Sequence, residues 1–172
     1  MKIAIYTLGC KVNQYETQAM ERLLRARGHE FVDFSAAADA YVVNSCSVTA
    51  VSDQKSRQAL HKIRRERPGA ALALCGCYAQ THPEDMEGLD VDLGAGTGDR
   101  MGFIALLEKA AEERARVTAI DRAFDRREFE VLPAGGLEER TRAMLKVEDG
   151  CVNFCSYCII PYARGPVRSL PL

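Results

Sequence analysis

The chain has 172 residues, of which 47% are hydrophobic and 27% charged, so it lies in the ordinary globular range, with material for one compact domain plus a remainder. A formal net charge of −1 excludes a whole-molecule electrostatic case for nucleic acid, so any RNA contact is expected to be local. The opening Met1-Lys2-Ile3-Ala4-Ile5-Tyr6-Thr7 resembles neither a secretory signal nor a spanning segment of roughly twenty apolar residues, so a cytoplasmic location with no membrane partner is expected.

Ile3 to Thr7 is a short β-compatible run, and Asn13 with Glu16 three positions later resembles a capping box opening a helix that buries Ala19, Met20, Leu23 and Leu24. Gly28 sits where that helix would end, and Phe31 to Phe34 and Tyr41 to Val43 read as further strands. A second helix is expected over Val51 to Arg67, with Ala59, Leu60 and Ile63 inward and Lys62, Arg64 and Arg65 outward, stopped by Pro68-Gly69. Ala70 to Leu74 is the next strand, a short helix starts at Pro83, and another strand lies near Val91 to Leu93. Met101 to about Ala115 has helical spacing through Ile104, Leu107 and Ala111. This alternation predicts an α/β fold with a parallel, helix-covered sheet over residues 1–116. From 117 to 142 the periodicity fades into charged residues and Pro133-Ala134-Gly135-Gly136, the candidate linker. A new, incomplete unit is expected over 143–172, starting with a strand from Ala143 to Val147.

Seven cysteines in a reducing compartment point to metal or redox chemistry rather than a disulfide framework. Cys151, Cys155 and Cys158 form a CxxxCxxC cluster with no histidine nearby, since His29, His61 and His82 are distant in sequence. Three thiolates from one tight loop can meet three irons of a single cubane and leave the fourth open, whereas structural zinc usually takes four ligands in paired knuckles. Cys10, Cys46 and Cys77 each follow a predicted strand. In a parallel sheet such loops gather at the edge where ligands bind, although three buried small hydrophobes are the bland alternative. Cys75 is expected to be one, packed at a strand end.

These residues resemble the radical-SAM methylthiotransferase family over essentially the whole chain. The match rests on Leu8-Gly9-Cys10-Lys11-Val12-Asn13-Gln14, Val43-Asn44-Ser45-Cys46-Ser47-Val48-Thr49, Gly76-Cys77-Tyr78-Ala79-Gln80, and Gly150 through Cys158 with Ile159-Ile160-Pro161-Tyr162-Ala163-Arg164-Gly165. The resemblance implies an N-terminal methylthiotransferase domain followed by the truncated start of a radical-SAM barrel. It implies an auxiliary 4Fe-4S cluster on Cys10, Cys46 and Cys77, and a second on Cys151, Cys155 and Cys158 that binds S-adenosylmethionine, with Tyr157 near the adenine. It also implies radical chemistry, an electron donor and a methylthio transfer. Lys11-Val12 resembles the branch acting on N6-threonylcarbamoyladenosine beside a tRNA anticodon. The alternatives are the isopentenyladenosine branch, which typically has Gln-Met there, the branch acting on a ribosomal-protein aspartate, and a non-catalytic iron-sulfur or zinc module. Without the barrel and RNA-binding domain that follow in the family, the chain is expected to be inactive alone.

Other signals have plainer readings. Gly94 to Arg100 lacks the Walker lysine and the dinucleotide glycine spacing, and reads as a strand-to-helix turn. The basic run His61 to Arg67 reads as a solvated helix face. Arg164 and Arg168 could meet phosphate or substrate, while Asn13 and Asn44 have cap or turn roles as alternatives to orienting the cysteine loops.

Overall fold

Val42 and Leu74 lie in runs that are apolar at successive positions, and a strand of that kind needs cover on both of its faces. The computed structural model, which describes residues 1–133 and 144–171, supplies that cover. The chain runs through β1 (Lys2–Thr7), α1 (Lys11–Ala26), β2 (Glu30–Phe31), β3 (Ala40–Ser45), α2 (Ala50–Glu66), β4 (Ala71–Gly76) and α3 (Cys77–Thr81). A 3₁₀ turn over Pro83–Met86 leads to β5 (Leu93–Ala95), α4 (Arg100–Glu113) and β6 (Val117–Ala119). Another 3₁₀ turn spans Ala123–Asp125. After it come β7 (Glu148–Asp149), α5 (Ile160–Arg164) and β8 (Arg168–Ser169).

Among the described residues, six strands form one parallel sheet in the order β2-β1-β3-β4-β5-β6. Alternation divides the core into two layers. Val42, Ala73 and Leu93 face α1 and α4 through Met20, Leu24, Ile104 and Leu107. Tyr41, Val43, Leu72 and Leu74 face the opposite side, where Leu60 and Ile63 of α2 pack with Tyr78 and Ala79 of α3. From β1 the chain first steps outward to β2 and then returns to β3 on the other side. The strand order therefore reverses between β1 and β3, and the crevice beyond their carboxyl ends is the topological switch point.

The parallel α/β architecture expected from the sequence is present, with shifted details. The second strand shrinks to Glu30–Phe31, while the third extends to Ala40–Ser45 and the fifth begins at Leu93 rather than Val91. In α4 it is Ala110, not Ala111, that is fully buried with Phe103, Ile104 and Leu107. The fading periodicity after 116 conceals β6, an edge strand of three residues, too short to show a period, that pairs with β5 from Leu93↔Val117 to Ala95↔Ala119. Ala134, Gly135, Gly136 and Ala143 lie outside the described residues. The strand expected over Ala143 to Val147 is displaced: pairing occurs instead at Glu148 and Asp149, antiparallel to Ser169 and Arg168. No described helix is long and apolar enough to cross a membrane.

Candidate functional site

Cys10, Cys46 and Cys77 stand directly beyond β1, β3 and β4, so the adjacency of these three strands brings the three residues to one edge of the sheet. Cys10 is exposed and occupies the N-cap position of α1, whereas Cys46 and Cys77 are buried. Two glycines permit the close approach. Gly9 has φ +106°, and a Cβ built there would lie 2.8 Å from Cys46 Sγ. Gly76 has φ +97°, and its Cβ would lie 2.5 Å from the backbone oxygen of Ser45. Any side chain at either position would combine a disfavoured left-handed backbone with a collision against the neighbouring cysteine loop.

Asn13 ties the loops together. Its Nδ2 donates to the carbonyls of Leu8, at 2.8 Å, and Ser45, at 2.7 Å, one in the Cys10 loop and one at the Cys46 loop. Asn44 Nδ2 in turn donates to Asn13 O and Thr17 Oγ1, both at 3.0 Å, and Ser45 Oγ donates to Cys75 O at 2.5 Å. Both asparagines are fully buried, so they orient the loops rather than cap a helix. The capping box expected from Asn13 and Glu16 is not formed: α1 begins at Lys11, and both residues point into the interior from its first two turns.

Glu16 is the centre of a buried ionic cluster. Its carboxylate meets Arg100 Nη2 at 3.0 Å, Arg164 Nη1 at 2.8 Å and Lys146 Nζ at 3.4 Å. Asp149 binds the same Lys146 and Arg164 at 3.1 and 3.2 Å, and Arg168 at 3.4 Å. Burial by itself raises the Glu16 pKa, but Arg164, Arg100 and Lys146 together hold it well below the ordinary carboxylate range. Four cations thus surround two carboxylates. Arg164 is not free to meet phosphate or substrate, as the sequence allowed, and neither is Arg168, whose Nη1 donates to Arg164 O at 2.9 Å. Arg64 likewise departs from a purely solvated face, because it pairs with Asp92 at 2.8 Å.

Burial pushes the Cys77 thiol up to about 11, opposed by the Arg164 guanidinium and assisted by Glu16, Cys46 and Cys10. The geometry that joins the loops is at the glycines, where Gly9 abuts Cys46 and Gly76, just before Cys77, abuts Ser45. Cys75 is fully buried in the sheet core, and burial pushes its thiol to about 11 as well. A metal bound at Cys77 would have to displace a proton from a thiol that burial favours as neutral.

The second triad lies on the loop between β7 and α5. Cys158 N donates to Cys155 O at 2.9 Å, and Cys151 N to Gly165 O at 3.0 Å, which closes the loop on itself. Cys155 is exposed, Cys151 and Cys158 are half-buried, and Tyr157 is 90% exposed. Phe154, Phe124 and Tyr162 form an exposed ring cluster beside them, with centroids 5.9 to 6.0 Å apart. Among the described residues no three His, Cys, Asp or Glu side chains are arranged to hold a single metal ion. A cubane makes a different demand, since each thiolate takes its own iron rather than sharing one centre.

Sequence reasoning missed Glu16, Arg100 and Lys146. A signal existed: Asn13, Glu16, Thr17, Met20 and Leu24 follow the helical buried stripe, so the apolar face of α1 continues towards its N-terminus as polar residues that must also be buried.

Two predictions follow from this packing. Gly76→Ala lowers stability by more than about 2 kcal/mol, from the left-handed backbone and the Ser45 collision, whereas Gly69→Ala, with open space around it, stays within about 0.5 kcal/mol in urea unfolding. Glu16→Gln costs about 3–5 kcal/mol at neutral pH by leaving buried cations uncompensated. Because the folded pKa of Glu16 lies below its ordinary 4.5, its contribution is complete above that value and is lost as pH falls through the folded pKa. Urea midpoints of the two proteins should accordingly converge in acid.

Residues 2–96, which contain Cys10, Cys46 and Cys77, match the model of a family described as "Uncharacterized protein family UPF0004". The threonylcarbamoyladenosine tRNA methylthiotransferase of Bacillus subtilis is 42% identical over 97% of this chain and 37% of its own length. A ribosomal protein uS12 methylthiotransferase from Chloroflexus aurantiacus is 30% identical over 100% of this chain and 41% of its own. A tRNA-2-methylthio-N(6)-dimethylallyladenosine synthase from Citrifermentans bemidjiense is 30% identical over 95% and 38%. The chain spans about two-fifths of the length of these relatives. It belongs to the UPF0004 family, the N-terminal domain family of the methylthiotransferases.

Proposed function

We propose that the protein is the N-terminal part of a tRNA-modifying methylthiotransferase that acts on N6-threonylcarbamoyladenosine next to the anticodon. The observation that carries this reading is the gathering of Cys10, Cys46 and Cys77 at the switch point, with the Cys151–Cys158 loop docked beside them through Arg164 and Asp149. Soft thiolates in threes suit two 4Fe-4S clusters, one on each triad. The close approach that Gly9 and Gly76 allow, and the buried Arg164 guanidinium bonded to Asn13 beside Cys10, suit an anionic group at the first. With S-adenosylmethionine, such clusters supply electron transfer, activation of a C–H bond, sulfur and a methyl group.

The chain's own residues prepare for this. Asn13 fixes two of the cysteine loops in register, and Cys77 releases its thiol proton on ligation. Tyr157 offers an exposed ring against which the adenine of S-adenosylmethionine can pack. In this reading residues 1–116 together with the edge strand β6 handle sulfur, the chain from there to 142 links, and 143–172 begin the radical-SAM unit, with an electron donor as a further partner in the cytoplasm. Substrate choice is supported by the 42% identity to the Bacillus subtilis threonylcarbamoyladenosine relative, against 30 to 34% to the ribosomal-protein relatives and 30% to the dimethylallyladenosine one. Lys11 and Val12 open α1 immediately after Cys10, at the rim of the crevice. A target base in a single-stranded anticodon loop can be splayed out and presented there.

Anaerobic reconstitution of the full-length protein should yield about eight irons per chain from two clusters. Cys10→Ala and Cys151→Ala should each remove about half. Zinc in their place would sink both cluster assignments, and iron lost only with Cys10→Ala would leave a one-cluster module. Mass spectrometry of tRNA nucleosides from a strain lacking the protein should show loss of the methylthio derivative of threonylcarbamoyladenosine. Loss of the isopentenyl derivative instead, or no change in tRNA, would reject the substrate.

A further inference from the structure

We propose that Arg164 is a positioning residue through which the segment following Cys158 completes the Cys10–Cys46–Cys77 site. This rests on the cluster reading above and adds a role for a residue outside both triads.

Arg164 lies in α5, six residues after Cys158, yet its side chain is buried among residues of α1. Nη2 donates to Asn13 Oδ1 at 2.9 Å, and this is the oxygen towards which Cys10 Sγ points at 3.8 Å. Asn13 uses its other amide end to hold the Leu8 and Ser45 carbonyls, so Arg164 fixes the amide that registers the Cys10 and Cys46 loops. Nη1 spans Glu16 and Asp149, the second of which stands two residues before Cys151. The guanidinium therefore touches elements belonging to both cysteine segments.

Its placement is enforced from behind. Arg168 holds the Arg164 carbonyl, and Thr97 Oγ1 donates to Ala163 O at 2.6 Å, anchoring α5 to the loop after β5. Only a planar fork with several donors can reach Asn13 while pairing two carboxylates; a lysine keeps the charge but loses that geometry. A buried cation bonded to Asn13, whose Oδ1 lies 3.8 Å from Cys10 Sγ, favours the more negative state of any thiolate-ligated cluster there, which raises its reduction potential. The ionic cluster contains other cations, but in the described residues Arg164 is the one bonded to Asn13.

The test uses the full-length protein carrying Cys151→Ala, Cys155→Ala and Cys158→Ala, so that the first triad alone is loaded. Arg164→Gln in this parent should lower the midpoint potential measured by redox titration and speed iron loss to a chelator several-fold. Arg164→Lys should keep the potential nearer the parent's while still speeding iron loss, because charge is retained and the Asn13 bond is not. Unchanged potential and unchanged chelation in Arg164→Gln would overturn the proposal. If circular dichroism shows that Arg164→Gln does not fold, Arg164→Lys decides: faster iron loss than the parent supports the role, and an equal rate overturns it. A parent that binds no iron, or keeps it after Cys10→Ala, brings down the cluster reading and this inference together. A parent with Cys10-dependent iron that is indifferent to Arg164 removes the inference alone.

Discussion

A carboxylate with almost no solvent exposure cannot stay ionised without compensation, and Glu16 obtains it from three separate parts of the chain. Arg100 comes from the start of α4, Lys146 from the approach to β7, and Arg164 from α5. Each of these cations is itself buried, so the desolvation cost is met only when all the pieces are in place. The consequence is cooperative assembly. The segment bearing the second cysteine triad cannot be moved without stranding a charge in the α/β domain. A cluster of this kind is not a large net source of stability compared with apolar packing, and its value lies in the one arrangement that satisfies every member.

That arrangement matters because of where it lies. The sheet topology puts Cys10 and Cys46 on either side of the switch point and Cys77 beyond the adjacent strand. Packed backbone alone would keep the loops apart by the width of a side chain, and the absence of Cβ atoms at Gly9 and Gly76 removes that separation. Asn13 then converts proximity into register, since one amide group holds a carbonyl from each of two loops and also receives Arg164. The ionic cluster below and the cysteines above share this residue. The buried network fixes the two cysteine triads relative to each other with a rigidity that an exposed connection could not supply.

Much of the architecture was legible from residues 1–116 because its signals are local. Hydrophobic runs, helical spacing through Leu60 and Ile63, and stops at Gly28 and Pro68-Gly69 each act within a few positions. The short elements were less legible. The second strand was expected at Phe31 but with other bounds, while Val117–Ala119 and Glu148–Asp149 hold two or three residues each, fewer than a period needs in order to show, and pairing with a distant strand is what makes them strands.

The cysteine triads stand out in the sequence through spacing and residue type, because ligand chemistry depends on which atoms are offered and roughly in what order. The partners of Asn13, Glu16, Arg100 and Arg164 do not. Asn13 and Glu16 have the local form of a capping box, and the tertiary environment overrides it by offering buried donors and cations from 84 to 151 residues away. Thus the amino-acid sequence by itself determined the parallel α/β class, the two sets of thiols and the glycines beside them. Only the tertiary structure decided that a charged helix face is interior and that Arg164 bonds Asn13 beside Cys10, since a buried charge is defined by groups remote in the chain and by the exclusion of water.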